Sequence, residues 1–585
     1  MKHFSNLQLA TCRSQFAIPC RRIALIALAL CTVVTPRPVC ADEYEAVFLP
    51  PNAGQLDSEA LLVERRAFRL EQIAPPPGPP DVELPDVDPG ITINPIDRFL
   101  QAAWQAAGLE ATESPPALCD DATFVRRAYL DLVGVIPTVV ECNHFLAGRS
   151  PERREKLVDQ LLARHADYAA HGTPFWEDAL ASQPVLSQGG IPTRGNYRDW
   201  IYQCLEQNRP YDVMVAELLD PTMPRRKAAD TEDVLGTKYT IEYVRNEDHT
   251  VTLQTAANVG QVFLGTSMKC AGCHDHFENA EWPQERFIGF AGLFAPRDLE
   301  RIRCEVKTGR LVPARFPFEL AGAPREVPAD LDGRLHLAAQ LVTDAANPRF
   351  AKTIVNRLWK RYLGLGLVEP ADDFRLDVPA SHPRLLDWLA HDFLAHGCDL
   401  KHTIRLIVTS RAYQRRYDAA LEDHFTAGET NVPRDFRSPA LRRLTAEQLL
   451  DSLRVATSGR VDPQERCYLD YRSTALMRVL GRPASRNEIS TARGDDAAIV
   501  QALELLNGAE LEDLLGQSAI LSAPPGRQDP RKVVDPLYVA VLSRHATPAE
   551  KRLGKEFLTS AAALDEGLRD LLWALVCSPE FQYIK

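Results

Sequence analysis

The residues best suited to chemistry in this 585-residue chain form one pentapeptide, Cys270-Ala271-Gly272-Cys273-His274, followed at once by Asp275 and His276. Two thiols three residues apart reach the two vinyl groups along one edge of a porphyrin, and the adjoining histidine swings under the ring as an axial ligand. This is the C-x-x-C-H arrangement of covalent c-type haem attachment, with Cys270 and Cys273 as thioether donors and His274 on the iron. The same residues serve other chemistry. Thiolate and imidazole suit zinc or copper, so Cys270 and Cys273 with His274 or His276 also read as a mononuclear metal site. A local disulfide, or a plain C-x-x-C turn with no cofactor, is the third reading. With 13 cysteines and 14 histidines in 585 residues, a chance C-x-x-C-H is expected far less than once.

Other residues add less. Trp282, Phe287, Phe290 and Phe294 make an aromatic stripe behind the motif, the last three at helical spacing, and such a stripe is ordinarily core rather than the wall of a haem. Met214, Met223, Met268, Met477 and His249 are available as a sixth ligand, and sequence distance does not choose among them. His382 reads as capping or preceding a helix over 384–393, with Ser381 as a candidate N-cap. His402 lies on the next amphipathic helix as a structural histidine. Glu447 reads as structural, in a loose match to a capping box opening at Thr445. No G-x-S-x-G, H-E-x-x-H or Walker-type glycine loop is present, so a serine hydrolase has no support.

The elements that must position the motif are helices. Amphipathic spacing predicts one around Phe124, Ala128, Leu130 and Leu132, and further helices over 153–163, 199–206 and 211–219. The stretch 250–268 reads as a helix running straight into Cys270. Residues 306–312 read as a hairpin around Gly309, and helical patterning resumes at Leu335. The predicted fold is mainly α, two tandem helical domains with a small β-hairpin-containing segment between them. The motif-bearing domain spans 96–330 and the C-terminal domain 331–585.

The region ahead of them is different. Arg21 and Arg22 precede an apolar run over 23–34 and the tripeptide Val39-Cys40-Ala41, which together make residues 1–41 a secretory signal peptide. An uncleaved anchor is the alternative, although the run is short against the ~20 residues that a bilayer needs. No later segment approaches a transmembrane run, so an exported protein, periplasmic or at the cell surface, is expected. Residues 42–95 hold a short helix over 58–73 and a proline-rich linker of extended type. Cleavage after Ala41 removes five basic residues and no acidic one, taking the formal charge from -12 to -17. That balance excludes a nucleic-acid partner, since neutralising phosphates needs clustered Lys and Arg. Cleavage also removes four of the 13 cysteines. Beyond the motif pair it leaves Cys119, Cys142, Cys204, Cys304, Cys398, Cys467 and Cys577, an odd set that cannot all pair within the chain.

From Ile96 onward the chain resembles a family of large exported proteins, abundant in planctomycetes, that pairs two domains of unknown function. The first, a cytochrome-like domain, is similar at Ile96-Asp97-Arg98-Phe99, Arg126-Arg127-Ala128-Tyr129-Leu130-Asp131, Tyr197-Arg198-Asp199-Trp200, Arg209-Pro210-Tyr211-Asp212 and the motif through His276. The second is similar at Asn347-Pro348-Arg349-Phe350, Val355-Asn356-Arg357, Glu369-Pro370-Ala371-Asp372-Asp373-Phe374, Ser381-His382-Pro383, Asp399-Leu400-Lys401-His402 and Ser410-Arg411-Ala412-Tyr413. The chain departs from the pattern after His276. Relatives usually have Pro and then Phe-Asp before the Trp, where this chain reads Phe277-Glu278-Asn279-Ala280-Glu281-Trp282. Many relatives also carry a separate cytochrome c module near the N-terminus, and its lack here implies a single haem. The resemblance implies an exported, mostly helical protein with a cytochrome-c-like motif near the end of its first domain. The motif itself points to electron transfer or haem-dependent redox chemistry with an unidentified redox or cell-surface partner. The alternative is a cell-surface binding or structural protein whose Cys/His cluster is a metal site or a disulfide staple. Whether the chain is an enzyme stays open, because no general base is placed.

Overall fold

The structure is a computed structural model that describes residues 82–86, 94–109, 117–180, 197–223, 249–303, 306–324, 326–424, 434–469, 473–483, 489–490, 493, 499–518 and 529–585. The expected signal peptide, the helix over 58–73 and Cys304 lie outside the described residues.

The N-terminal half contributes α1 (Pro95–Ala107), α2 (Asp121–Leu132), α3 (Val139–Ala147), α4 (Arg153–Leu162), α5 (His165–Ala179), α6 (Tyr197–Glu206), α7 (Tyr211–Leu219), α8 (His249–Leu264) and α9 (Gln284–Ala291). A hairpin of β1 (Leu299–Arg303) and β2 (Val306–Val312) follows. Then come α10 (Leu331–Thr343), α11 (Phe350–Leu363), α12 (Pro383–Ala395), α13 (Leu400–Thr409) and α14 (Arg411–Gln414). After the short β3 (Arg442–Arg443) come α15 (Ala446–Ser458), α16 (Ala475–Val479), α17 (Ile499–Asn507), α18 (Ala509–Gly516) and α19 (Pro530–Leu542). The chain closes with α20 (Pro548–Ser560), α21 (Leu564–Val576), α22 (Pro579–Gln582) and β4 (Tyr583–Ile584), the last pairing antiparallel with β3. The protein is mainly α, with two small two-stranded sheets, and the hairpin sits between the two helical segments as expected. Among the described residues no helix is long and apolar enough to cross a membrane.

Local signals start and stop these helices. Asn94 caps α1 by accepting from the Ile96 N–H, Pro95 fills a first-turn position that has no N–H to lose, and Gly108 ends the helix at φ 70. Thr138 and Glu141 close a reciprocal capping box on α3. Thr445 does the same for α15, but with Gln448, and Glu447 is turned into a buried ion pair with Arg493. Ser381 is not the cap of α12. His382 holds that position without a side-chain cap bond, and the Ser381 hydroxyl donates instead to the Leu367 carbonyl.

Two further expectations are corrected. The helix expected to reach Met268 ends at Leu264, because Gly265 turns to φ 59. Gly309 is not the hairpin turn but lies inside β2, where the register with β1 shifts between Glu300 and Ile302. It takes φ 76 at this irregularity, and its N–H donates to the Glu300 carboxylate, a conformation suited to glycine at a bulge.

The halves share one core that runs from Ile96 to Ile584. α10 packs on α7, and α8 packs on both α9 and α11. α2 is the main joint. All its residues from Phe124 to Leu132 are buried, charges included, so each charge needs a partner. Arg126 donates to the carbonyls of Val541 and Phe581, both at 2.9 Å. Arg127 donates to those of Tyr413, Arg415 and Lys585. Asp131 takes both ends of the Arg442 guanidinium at 2.7 Å and the Tyr413 hydroxyl at 2.7 Å.

Candidate functional site

The motif lies in the loop between α8 and α9, and the C-terminal half holds that loop from outside. At Gly265 a Cβ would stand 2.6 Å from the Phe374 ring and 2.7 Å from Thr353 Oγ1, so close approach as well as positive φ requires glycine. The Phe374 N–H then donates to the Gly265 carbonyl at 2.6 Å. Asp373 accepts the Ser267 N–H at 3.0 Å, and Asp372 accepts from Gln261 at 2.8 Å. Burial pushes the Asp373 carboxyl above the usual range, opposed by the Ser267 N–H and the charge of Arg375. Further along, Arg375 pairs with Glu278 at 2.6 Å and Arg349 with Glu281 at 2.7 Å. Four consecutive residues, 372 to 375, therefore carry most of the grip on the motif loop and the end of α8.

Within the loop, alternation sorts side chains into core and surface. Met268 is buried in a notch on α8, where Gly260 leaves room for its sulfur. A 3₁₀ turn, Lys269–Gly272, follows. Its two intervening residues, Ala271 and Gly272, are buried, whereas Cys270 and Cys273 are exposed free thiols. His274 is exposed beside them. Its Nδ1 lies 2.7 Å from the Asp275 carbonyl, so Nδ1–H is the donor, and Nε2 has no partner among the described residues. Phe277, 83% exposed, stands against the His274 ring at 4.1 Å between centroids.

His276 is different. Its Nε2–H donates to the Ser267 carbonyl at 2.9 Å, and its Nδ1 accepts the N–H groups of Glu278 (3.2 Å) and Asn279 (3.0 Å). Both ring nitrogens thus hold the loop together, and a metal at either would have to break that turn. The clasp does not use the N–H of Phe277, the position at which proline is expected in relatives, so proline there and phenylalanine here suit the same turn. Asp275 accepts the Gln284 N–H at 2.7 Å and so caps α9. The buried Gln284 amide donates to the carbonyls of Gly272 (3.1 Å) and Ile302 (2.5 Å), tying motif, α9 and hairpin together.

The structure brings Cys270, Cys273 and His274 together at the surface and places His276 behind them. Trp282, Phe287, Phe290 and Phe294 are all in the core. Met214, Met268 and Met477 are buried as well and present no sulfur at the surface near the motif; the His249 side chain lies outside the described residues. Among the described cysteines no disulfide forms. Sequence reasoning missed the 372–375 clamp and Gln284. Asp373 and Phe374 stood out only as part of a family pattern, and nothing in their spacing says what they touch.

Residues 95–298 match the family model PSCyt2, described as a protein of unknown function (DUF1549). Residues 333–467 match PSD1, also described as a protein of unknown function (DUF1553). The chain therefore carries these two domains of unknown function in tandem, and the clamp that grips the motif loop of the first belongs to the second. No curated protein and no solved structure matches the chain.

Proposed function

We propose that Cys270, Cys273 and His274 are the attachment site of a single c-type haem, and that the protein is exported and works in electron transfer or haem-dependent redox chemistry. The observation that carries this reading is the state of His274. It is exposed beside two free thiols, and its Nδ1–H is already bonded to a backbone carbonyl, which sets the tautomer and leaves the Nε2 lone pair for iron. Each thiol would add across a vinyl group to form a thioether, and the bound group would supply a reversible one-electron couple whose potential depends on its ligands and exposure. The chain's own part is to hold the three donors outward on a rigid loop. His276, Asp373 and Gln284 perform that holding. The exposed Phe277 and Leu376, 83% and 73% accessible, offer apolar contact to a flat ring or to a redox partner.

The test is the absorption spectrum and haem-stained gel of the full chain exported in a host with haem-maturation enzymes. A Soret band that survives denaturation and vanishes in Cys270→Ala/Cys273→Ala supports the proposal. His274→Ala should keep the covalent haem while changing its ligand-field bands. A colourless protein carrying a zinc or copper that is lost in Cys270→Ala/Cys273→Ala would overturn it in favour of a metal site on the same thiols.

A further inference from the structure

A second group of ligating side chains lies in the C-terminal half, at the corner between α12 and α13, and shares no residue with the motif loop. Asp392 and His396 are four apart at the end of α12 and so lie on one face of the helix. The chain then reverses through Gly397 (φ 67) and Cys398 (φ 59). Asp399 caps α13, accepting the N–H groups of Lys401 (2.9 Å) and His402 (3.3 Å). It also accepts from the Asn208 side chain at 2.9 Å, so the first turn of α13 is anchored to the N-terminal half. This reversal brings His402 back over His396. The two imidazoles stack at 3.7 Å with 14° between their planes. His402 Nε2 lies 2.8 Å from one oxygen of Asp392, and His396 Nδ1 lies 3.3 Å from the other. One ligand atom from each residue falls within 4.8 Å of the others.

The geometry points to a divalent transition-metal site formed by Asp392, His396 and His402. Two imidazole nitrogens and one carboxylate suit zinc and copper(II), and the lack of a thiolate separates this donor set from that of the motif. In a tetrahedral site with bonds of 2.0–2.1 Å, ligand atoms stand ~3.3 Å apart. The 3.3 Å between His396 Nδ1 and one Asp392 oxygen matches that value, while the 2.8 Å between His402 Nε2 and the other oxygen would open by ~0.5 Å around an ion. An ion would take the place of the proton between His402 Nε2 and the carboxylate, and of the Nδ1–H by which His396 bonds to the Asp392 backbone carbonyl. The corner is also the C-terminal end of α12, whose last carbonyls make a negative pole that favours a cation. His396 Nδ1 lies 2.8 Å from the Asp392 carbonyl in that turn. His396 is exposed and the other two are half-buried, so an ion can enter from solvent and would keep a position open to water or a ligand.

The test uses the full chain with Cys270→Ser and Cys273→Ser, which removes the competing thiols. Zn²⁺ binding is followed by calorimetry and Co²⁺ binding by visible absorption. One equivalent of Zn²⁺ is expected, with Co²⁺ bands of nitrogen and oxygen ligation. Replacing one histidine, His396→Ala or His402→Gln, should weaken binding at least about tenfold, since even residues that only support a metal's ligands cost 10–100-fold. His391→Ala, next to the cluster in sequence but outside it, should change nothing. Circular dichroism confirms folding of each variant. Lack of saturable Zn²⁺ or Co²⁺ binding by the parent, or binding that the His396 and His402 variants leave intact, would overturn the inference. Neither result bears on haem at the motif, which is read separately from the Soret band.

Discussion

Helix α2 and the motif loop both join the N-terminal half to the C-terminal half, and they use their side chains in opposite ways. In α2 the charged residues are the joint. Arg126, Arg127 and Asp131 are buried and reach carbonyls, a guanidinium and a hydroxyl that come from residues 413 to 585. On these side chains only the Arg126 Nε–H finds no partner among the described residues. In the loop the joint is made by the Phe374 N–H on the Gly265 carbonyl, by Asp373 and by the pairs Arg375–Glu278 and Arg349–Glu281 at its rim, while Cys270, Cys273 and His274 face outward. A dense run of charge in this protein therefore marks a seam, because a buried charge must find a partner. On the motif loop the thiols of Cys270 and Cys273 and the Nε2 of His274 stay exposed on a held backbone.

That contrast is most severely tested at Asp131. Asp131→Ala leaves the Arg442 guanidinium buried without its carboxylate, and a loss of about 3–5 kcal/mol in unfolding free energy is expected by denaturant titration. A loss below about 1 kcal/mol would show that the seam is not held by its charges. Next is His276→Ala, which removes the acceptor for two N–H groups and the donor to Ser267. A cost of about 1–3 kcal/mol is expected, seen as faster amide exchange over 265–281 rather than as global unfolding. Unchanged exchange there would remove His276 from the role of clasp.

A buried histidine whose one donor is occupied gives the seam a pH signature. His382 donates from Nε2 to the Arg434 carbonyl at 2.8 Å, and burial lowers its pKa more than that bond raises it. The folded form therefore prefers the neutral ring. Its stabilising contribution is complete above the unfolded pKa of about 6.5 and is lost as pH falls from there toward the lower folded value. Melting temperature should drop between about pH 7 and about pH 5, and drop less in His382→Gln. An equal drop in the variant would assign the effect to other groups. The smallest effect is expected for His274→Ala, within about 0.5 kcal/mol of the parent in unfolding free energy. A large loss would mean that His274 is part of the fold and would weaken its assignment as a ligand.

Much of the fold was legible locally. Helical spacing anticipated α7 at its observed limits and α4 to within one residue, since amphipathic period and caps are short-range properties. The motif was legible because its chemistry depends on five adjacent residues. What escaped was contact between distant segments. Gly265 ends α8 early because Phe374 comes against it, and Gly309 serves a strand irregularity rather than a turn, neither of which a local pattern states. His402 read as an ordinary helical histidine, because its neighbours Asp392 and His396 reach it only through the reversal at Gly397 and Cys398.

By itself, then, the sequence determined a mainly helical protein with one C-x-x-C-H motif. Only the tertiary structure decided which of the chemically capable side chains stay available. Burial forces every charged or hydrogen-bonding group it covers to find a partner, and those partners lie up to hundreds of residues away. His276 was drawn into the loop and His274 was not. Asp131 was closed into the seam, while Asp392 was left facing two histidines.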